Sequence, residues 1–500
     1  MLFSIPRPKL GPNLLHLLPR HGTHTSVLKS LLPSFIADII FPEQKPNWRL
    51  HPTSYLDGLR GIASVIVFFC HYTENEFRDL TRAYGVDQGE PSGWIQAPFV
   101  RIIFSGRPMV HIFFVISGFV LSYKPIKCIH ARELDKCYTT LSSSTFRRAF
   151  RLFGPCVAST FMILLLNQIG FLGDGRFTFW DQLWDWKNVV FRQITWPWAW
   201  DKDLSPGYDI HLWTIPIEFA HSMLLFMVIL MVARLRLRIR QAMVFGLIVY
   251  CLACGKWAAF EFLAGLFLAE IHVLQAARAK DWESSEMALF PAKRSAGSTV
   301  KTMFHVSIIL VGLFIGGWPN RDADKTPGTR FFLAQTPMPF AKMDHLAPQK
   351  FWFGLAAAFM VWSVGELPVL RRFFEGPLAQ YCGRVSYAVY ICHGPVLGLF
   401  SKLVLGSPSR PAVGQPGTPD FREAVMGDGV RGLMGVEGTT QKTMSWFVGL
   451  CILGPLVIWA ADIFWRAIDN PVVSFGKKIE EACLDDSAPS PRSQGYSAAA

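Results

Sequence analysis

LDGLRGIASVIVFFCHY, residues 56–72, is apolar enough to enter a bilayer, yet it holds Asp57 and Arg60 near its start and His71 near its end. At 100° per residue, the eleven steps from Arg60 to His71 overshoot three full turns by about 20°. The two side chains therefore share one helix face, about 16 Å apart along the axis, and Asp57 lies on that face one turn earlier. A membrane helix with a polar stripe of this kind has work for it inside a bundle.

The rest of the chain fits that reading. Of 500 residues, 51% are hydrophobic and only 17% are charged, where a soluble protein carries nearer a quarter. Forty-one Phe and 17 Trp point the same way. The net charge of +12 does not call for nucleic acid, because the basic residues sit between apolar runs, where they set membrane orientation. Ten cysteines are scattered, and most fall in apolar runs as small hydrophobes. The single CxxC, Cys251 to Cys254, has no second pair or neighbouring histidine cluster, so no metal site is expected there.

Apolar stretches predict an all-α polytopic membrane protein of about ten helices, near 57–73, 108–124, 152–171, 212–233, 241–255, 257–274, 302–318, 350–366, 385–405 and 445–466. Residues 1–54 form a leading segment with a possible interfacial helix, 55–467 the membrane domain, and 468–500 a largely disordered tail ending in DDSAPSPRSQGYSAAA. The segment 124–151 is strongly basic, and RLRLRIR at 234–240 has no acid. By the positive-inside rule both face the cytosol, which places both termini there too. The loop 172–211 is acidic and contains TWPWAW, as suits a segment at the opposite membrane interface. A multi-pass protein of the endoplasmic reticulum or another endomembrane is the expected setting, with the bilayer itself as a partner.

Further polar stripes recur. HLWTIPIEFAHSM puts His211, Thr214, Glu218 and His221 on one predicted stripe, with Pro216 expected to kink the helix. SYAVYICHGPVL aligns Ser386, Tyr390 and His393. HIFFVISGFVLSYK opens on His111 and is interrupted by Ser117, Ser122 and Tyr123, while RRAFR sets Arg148 and Arg151 one turn apart. Singly, Arg60 serves as well as a headgroup anchor, and Arg148 and Arg151 serve as topology signals. Glu218 is harder to dismiss, since a carboxylate at a helix centre costs ~2.5–3.5 kcal/mol even on insertion scales. A histidine can take a proton from a hydroxyl, with a carboxylate to hold its tautomer. Arginines at a cytosolic mouth suit the phosphates of a large anionic donor. Proton-coupled transport accounts for the same residues equally well.

These motifs also carry a resemblance. LDGLRGIASVIVFFCHY is similar to the first-helix motif of the acyltransferase 3 family of integral-membrane O-acyltransferases, with Arg60 and His71 at the family's spacing. Phe113, Phe114, Ser117, Gly118, Phe119 and Ser122 resemble its second-helix pattern, and Arg148 to Arg151 its R-x-x-R element. Trp213 with Glu218, and Ser386, Tyr387, Tyr390, His393 and Pro395, resemble its two later elements. Five motifs in family order cover residues 55–466, with wording closest to fungal-type members.

The resemblance implies transfer of an acetyl or other short acyl group from acetyl-CoA, a co-substrate rather than a tightly bound cofactor, to a hydroxyl. A secondary metabolite is the implied acceptor, with a glycan as the alternative. On this reading His71 is the general base, Arg60 positions the donor and Glu218 tunes the site. Arg148, Arg151 and Ser122 bind the CoA, while His393, Tyr390 and Trp213 line the acceptor pocket. No metal and no nucleic acid are expected.

Overall fold

The computed structural model describes residues 31–40, 50–86, 91–172, 178–283, 296–403 and 438–484. Contacts divide the chain at Trp48/Arg49. In the first unit Ser34–Ile40 forms a seven-residue helix; the rest of the expected interfacial element, at 1–30 and 41–49, lies outside the described residues.

The second unit is helical, and its only bridge among the described residues is an isolated one between Arg82 and Arg321. Among the described residues, ten long helices occupy the ten expected positions: α1 (Ser54–Glu76), α2 (Gly106–His130), α3 (Leu134–Gln168), α4 (Thr214–Val232), α5 (Leu237–Ala253), α6 (Trp257–Glu283), α7 (Ala296–Gly316), α8 (Ala347–Glu366), α9 (Pro377–Leu403) and α10 (Gly438–Phe464). Among the described residues, six helical stretches are long and apolar enough to cross a membrane: Gly106–His130, Leu134–Gln168, Ile210–Val232, Trp257–Arg278, Thr299–Gly316 and Gly438–Cys483. A seventh appears if α8 and the short helix Pro368–Phe374, bent 96° against each other, count as one. The expected ten spans are thus present as helices, but not all as apolar spans. Helix α5 has only 17 residues. Helix α1 carries Asp57, Arg60, Glu74 and Glu76, and α9 carries Gln380, Arg384 and His393.

The outer faces are apolar. Met227, Met231, Phe245, Tyr250, Val300, Met303 and Leu310 are all exposed, a pattern that water would penalise and lipid would not. In the segment after α3, Trp180, Trp184, Trp196, Trp198 and Trp200 are exposed as well, which matches the aromatic belt of a membrane interface.

Inside, backbones meet through glycine. A methyl added at Gly118 of α2 would stand 2.3 Å from the Phe262 carbonyl oxygen of α6, and one at Gly265 would stand 2.3 Å from that of Val115. Helices α1 and α9 repeat the device: a methyl at Gly61 would reach 2.2 Å from the Gly383 nitrogen, and one at Gly383 would reach 2.4 Å from the Asp57 carbonyl oxygen. With lipid as solvent, such van der Waals contact between close backbones supplies much of the packing energy.

Two local expectations are corrected. Pro216 does not kink a helix: α4 begins at Thr214 after the 3₁₀ turn Ile210–Trp213, so the proline sits in the first turn, where a missing N–H is harmless. The chain also stays ordered past 468. Asn470–Cys483 forms an amphipathic helix, α11, docked on α3 through Arg147–Glu480 (3.0 Å) and the Phe150–Phe475 ring pair. The remainder of the tail, 485–500, lies outside the described residues, as does 404–437 of the long loop before α10.

Gly118→Val is expected to lower stability by ~1–3 kcal/mol through overpacking of α2 on α6. Gly246, on α5, has nothing within 4 Å of an added methyl, so Gly246→Ala should raise stability slightly through helix propensity. Thermal unfolding of both variants in detergent checks the opposite signs.

Candidate active site

Helices α1 and α9 run parallel. Arg60 Nη2 donates to the Gly383 carbonyl (3.1 Å) near one end, and ten residues further along α9, the His393 ring stacks on His71 with centroids 5.2 Å apart. The shared glycine seam sets this register, so the eleven-residue spacing in α1 is matched by a ten-residue spacing in α9.

A third ring completes the upper end. His211, in the 3₁₀ turn before α4, lies with its centroid 4.3 Å from that of His71 and 4.6 Å from that of His393. One nitrogen from each of the three rings falls within 4.8 Å of the others. Each ring is oriented from behind. His211 Nδ1 donates to Asp209 Oδ1 at 2.7 Å. His71 Nδ1 faces Glu74 Oε2 at 3.4 Å. His393 Nδ1 donates to the Val389 carbonyl at 3.1 Å, while its Nε2 has no partner among the described residues. Glu74 is in turn held by Asn320 Nδ2 at 2.7 Å.

Neighbouring residues make room for this arrangement. A methyl at Gly394 would come within 2.6 Å of His211 Nδ1 and 3.1 Å of Asp209 Oδ1, so only glycine lets α9 pass so near that dyad. Tyr390, one turn before His393, donates its hydroxyl to the His211 carbonyl and meets Thr214 Oγ1 at 2.7 Å. It ties α9 to the turn that carries His211. His393 is fully buried, whereas His71 keeps 30% of its side chain accessible.

A second polar group lies one turn along α4. Glu218 Oε1 accepts from Arg148 Nη2 of α3 (2.7 Å) and from Ser117 Oγ of α2 (2.9 Å). Arg148 Nε donates to Ser222 Oγ at 3.0 Å. Tyr387 of α9 donates to the Leu152 carbonyl and lies 3.3 Å from Cys156 Sγ. Four helices, α2, α3, α4 and α9, are thereby cross-linked between the basic end and the histidines.

The nine residues singled out in the sequence therefore divide. His71, His393 and Tyr390 are brought together. Arg60 is held by Asp57 (3.3 Å) at the other end, close enough to Arg151 and Asp469 to feel their charges, and Arg151 is exposed. Arg148 is buried against Glu218 rather than open to solvent, and Glu218 meets an arginine rather than a histidine. Ser122 is fully buried, with its hydroxyl donated to the Gly118 carbonyl. Trp213 packs at the edge of the core around Ile217 and Phe226. His221 leaves the predicted stripe: its ring faces Asp201 at 3.8 Å and packs on Trp200 and Phe262. The 3₁₀ turn at 210–213 breaks the helical register that had aligned it with His211.

Sequence reasoning passed over Glu74 and Asp209 as site residues, and left Ser117 and His211, both singled out as polar positions, out of the site. The signals were short-range ones, Glu74 at i+3 from His71 and Asp209 at i−2 from His211.

Chemically, an imidazole whose Nδ1–H is fixed by an oxygen presents its Nε2 lone pair outward, poised to take a proton. Two histidine–carboxylate dyads and a third buried histidine converge here.

Comparison with known proteins gives the following. The acyltransferase-domain family model matches residues 53–466. An O-acetyltransferase of Phomopsis amygdali, PaAT-1, is 32% identical over 419 residues, covering 76% of this chain and 77% of the relative. Acyltransferase R4 of a Phoma species is 26% identical over 440 residues, covering 76% and 89%. Acyltransferase clz18 of Cochliobolus lunatus is 25% identical over 489 residues, covering 86% and 95%. No solved structure matches the chain.

The Arg148–Glu218 pair gives a direct test. Removing one partner of a buried pair leaves an uncompensated charge, at a cost of ~3–5 kcal/mol. Arg148→Ala and Glu218→Ala should each destabilise strongly, and the double variant should lose much less than the sum. A double-mutant cycle from thermal unfolding measures the coupling.

Proposed function

The chain belongs to the acyltransferase-domain family, and from that premise we propose that it transfers an acetyl or other short acyl group from acyl-CoA to a hydroxyl of a small molecule. It is an acyltransferase by family and by the names of its relatives. The donor, the acceptor class and the residue roles are our reading. The observation that carries it is the convergence of His71, His211 and His393 at one end of a parallel helix pair whose other end presents Arg60.

In this reading the basic residues of RLRLRIR and of 124–151 orient the arginine end toward the cytosol, in an endomembrane such as the endoplasmic reticulum. Acyl-CoA enters there. Arg60 and the exposed Arg151 meet its phosphates, and the roughly 16 Å between Arg60 and His71 is spanned by the thioester arm. Arg148 supports this mouth from within, through Glu218. At the histidine end, His71 Nε2 takes the proton of the acceptor hydroxyl as its oxygen attacks the thioester carbonyl. Glu74 stabilises the imidazolium. The tetrahedral adduct then expels the CoA thiolate, which receives that proton, leaving an ester and free CoA. Tyr390 and His393 border the acceptor. A secondary metabolite is the acceptor we favour, in keeping with the fungal-type wording of the opening motif; a glycan hydroxyl is the alternative.

His71→Ala should reduce CoA release from acetyl-CoA by ~10²–10⁴, the usual worth of a positioned base, without weakening acetyl-CoA binding. Arg60→Ala should do the reverse and raise the donor KM. Thiol-coupled assays of purified protein with candidate acceptors, alongside calorimetry of donor binding, separate the two. Donor binding lost in His71→Ala but kept in Arg60→Ala would overturn the assignment.

A further inference from the structure

We propose that His71, His211 and His393 form a binding site for a divalent cation of the zinc class, and that its occupation switches acyl transfer off. The second part rests on His71 being the base; the first does not.

The argument begins with the three tautomers. A backbone carbonyl and ionised carboxylates only accept hydrogen bonds. His393 Nδ1 faces the Val389 carbonyl, His211 Nδ1 faces Asp209, and His71 Nδ1 faces Glu74. In each ring the proton therefore sits on Nδ1 and the lone pair on Nε2. A histidine that binds a metal through one nitrogen almost always donates its other N–H to a carboxylate or carbonyl. Here all three rings have that support, two from carboxylates and one from a carbonyl. One base needs one such ring; three converging ones exceed what proton transfer requires.

The ligand set also selects the ion. The cluster offers imidazole nitrogen and no thiolate, which suits zinc and its neighbours rather than magnesium or calcium. Zinc–nitrogen bonds are about 2.0–2.1 Å, which puts tetrahedral ligands roughly 3.4 Å apart. One ring nitrogen of each histidine already lies within 4.8 Å of the others, so side-chain rotations close the set. Asp209 and Glu74 sit directly behind two ligands and offset the dipositive charge. His393 Nε2 is fully buried and has no partner among the described residues, and a cation would give it one. His71 and His211 retain accessible surface, 30% and 13% of their side chains, by which an ion can enter. Once bound, the cation holds the same Nε2 lone pair that would take the acceptor's proton.

The test uses the full chain in nanodiscs after chelator treatment. Titration with Co²⁺ should give one equivalent bound with the visible bands of a tetrahedral nitrogen site, and Zn²⁺ should displace it. His211→Ala and His393→Ala should abolish those bands. Asp209→Asn, which leaves all three ligands in place, should weaken binding about 10–100-fold. Unfolding curves establish that each variant is folded. In parallel, Zn²⁺ should lower CoA release in step with occupancy. Absence of saturable binding to wild type would overturn the site and leave the acyltransferase reading standing. Unchanged binding in both alanine variants would overturn its location. Binding accompanied by a rise in activity would overturn the switch and, with it, His71 as base.

Discussion

The seam between α1 and α9 is the contact on which the site depends. Gly61 and Gly383 let two parallel helices touch backbone to backbone, and the placing of Arg60 and of the His71–His393 pair follows from the register this imposes. Arg60 reaches the Gly383 carbonyl at one end, and His71 stacks on His393 at the other. A side chain anywhere along the seam would separate the helices and slide the two ends out of register. The polar stripe of α1 is thus expressed as chemistry only because α9 is pressed against it.

Around that seam, several of the bundle's buried charged groups are held in paired sets. Arg148, Glu218, Ser117 and Ser222 satisfy one another. Arg240 and His130 do the same with Glu270, and His111 faces Glu261 at 2.5 Å. In a low-dielectric interior an unpaired charge is far costlier than a paired one, so these sets act as cross-links with defined partners. The histidine cluster differs in kind: its rings are held from behind and left open in front.

Much of this was legible in the chain. The length of the apolar runs located ten helices among the described residues, only six or seven of which are long and apolar enough to cross a membrane, and the spacing from Arg60 to His71 put both on one face. The identity of the stripes at 57–71 and 386–393 also held, because an uninterrupted α-helix preserves angular register over many residues. What failed did so where that register breaks or where a partner comes from elsewhere. The 3₁₀ turn at Ile210–Trp213 removed His221 from the stripe and delivered His211 to the site. Nothing local in Glu218 says that it will meet an arginine on α3, and nothing in Arg148 says that it will be buried. The helix at Asn470–Cys483 was missed because its 14 residues are shorter and more polar than the apolar runs that mark a membrane span, and its partners Arg147 and Phe150 lie far away in the chain.

Gly394 carries a consequence for how such a site can change over time. A methyl there would press on the His211 ring and on Asp209, so the glycine is constrained only while that dyad is present. A lineage that lost His211 first would release Gly394 to vary, whereas one that altered Gly394 first would unseat a functioning dyad. The two positions can therefore drift in one order and not the other. The third histidine, once installed, locks the backbone that admitted it.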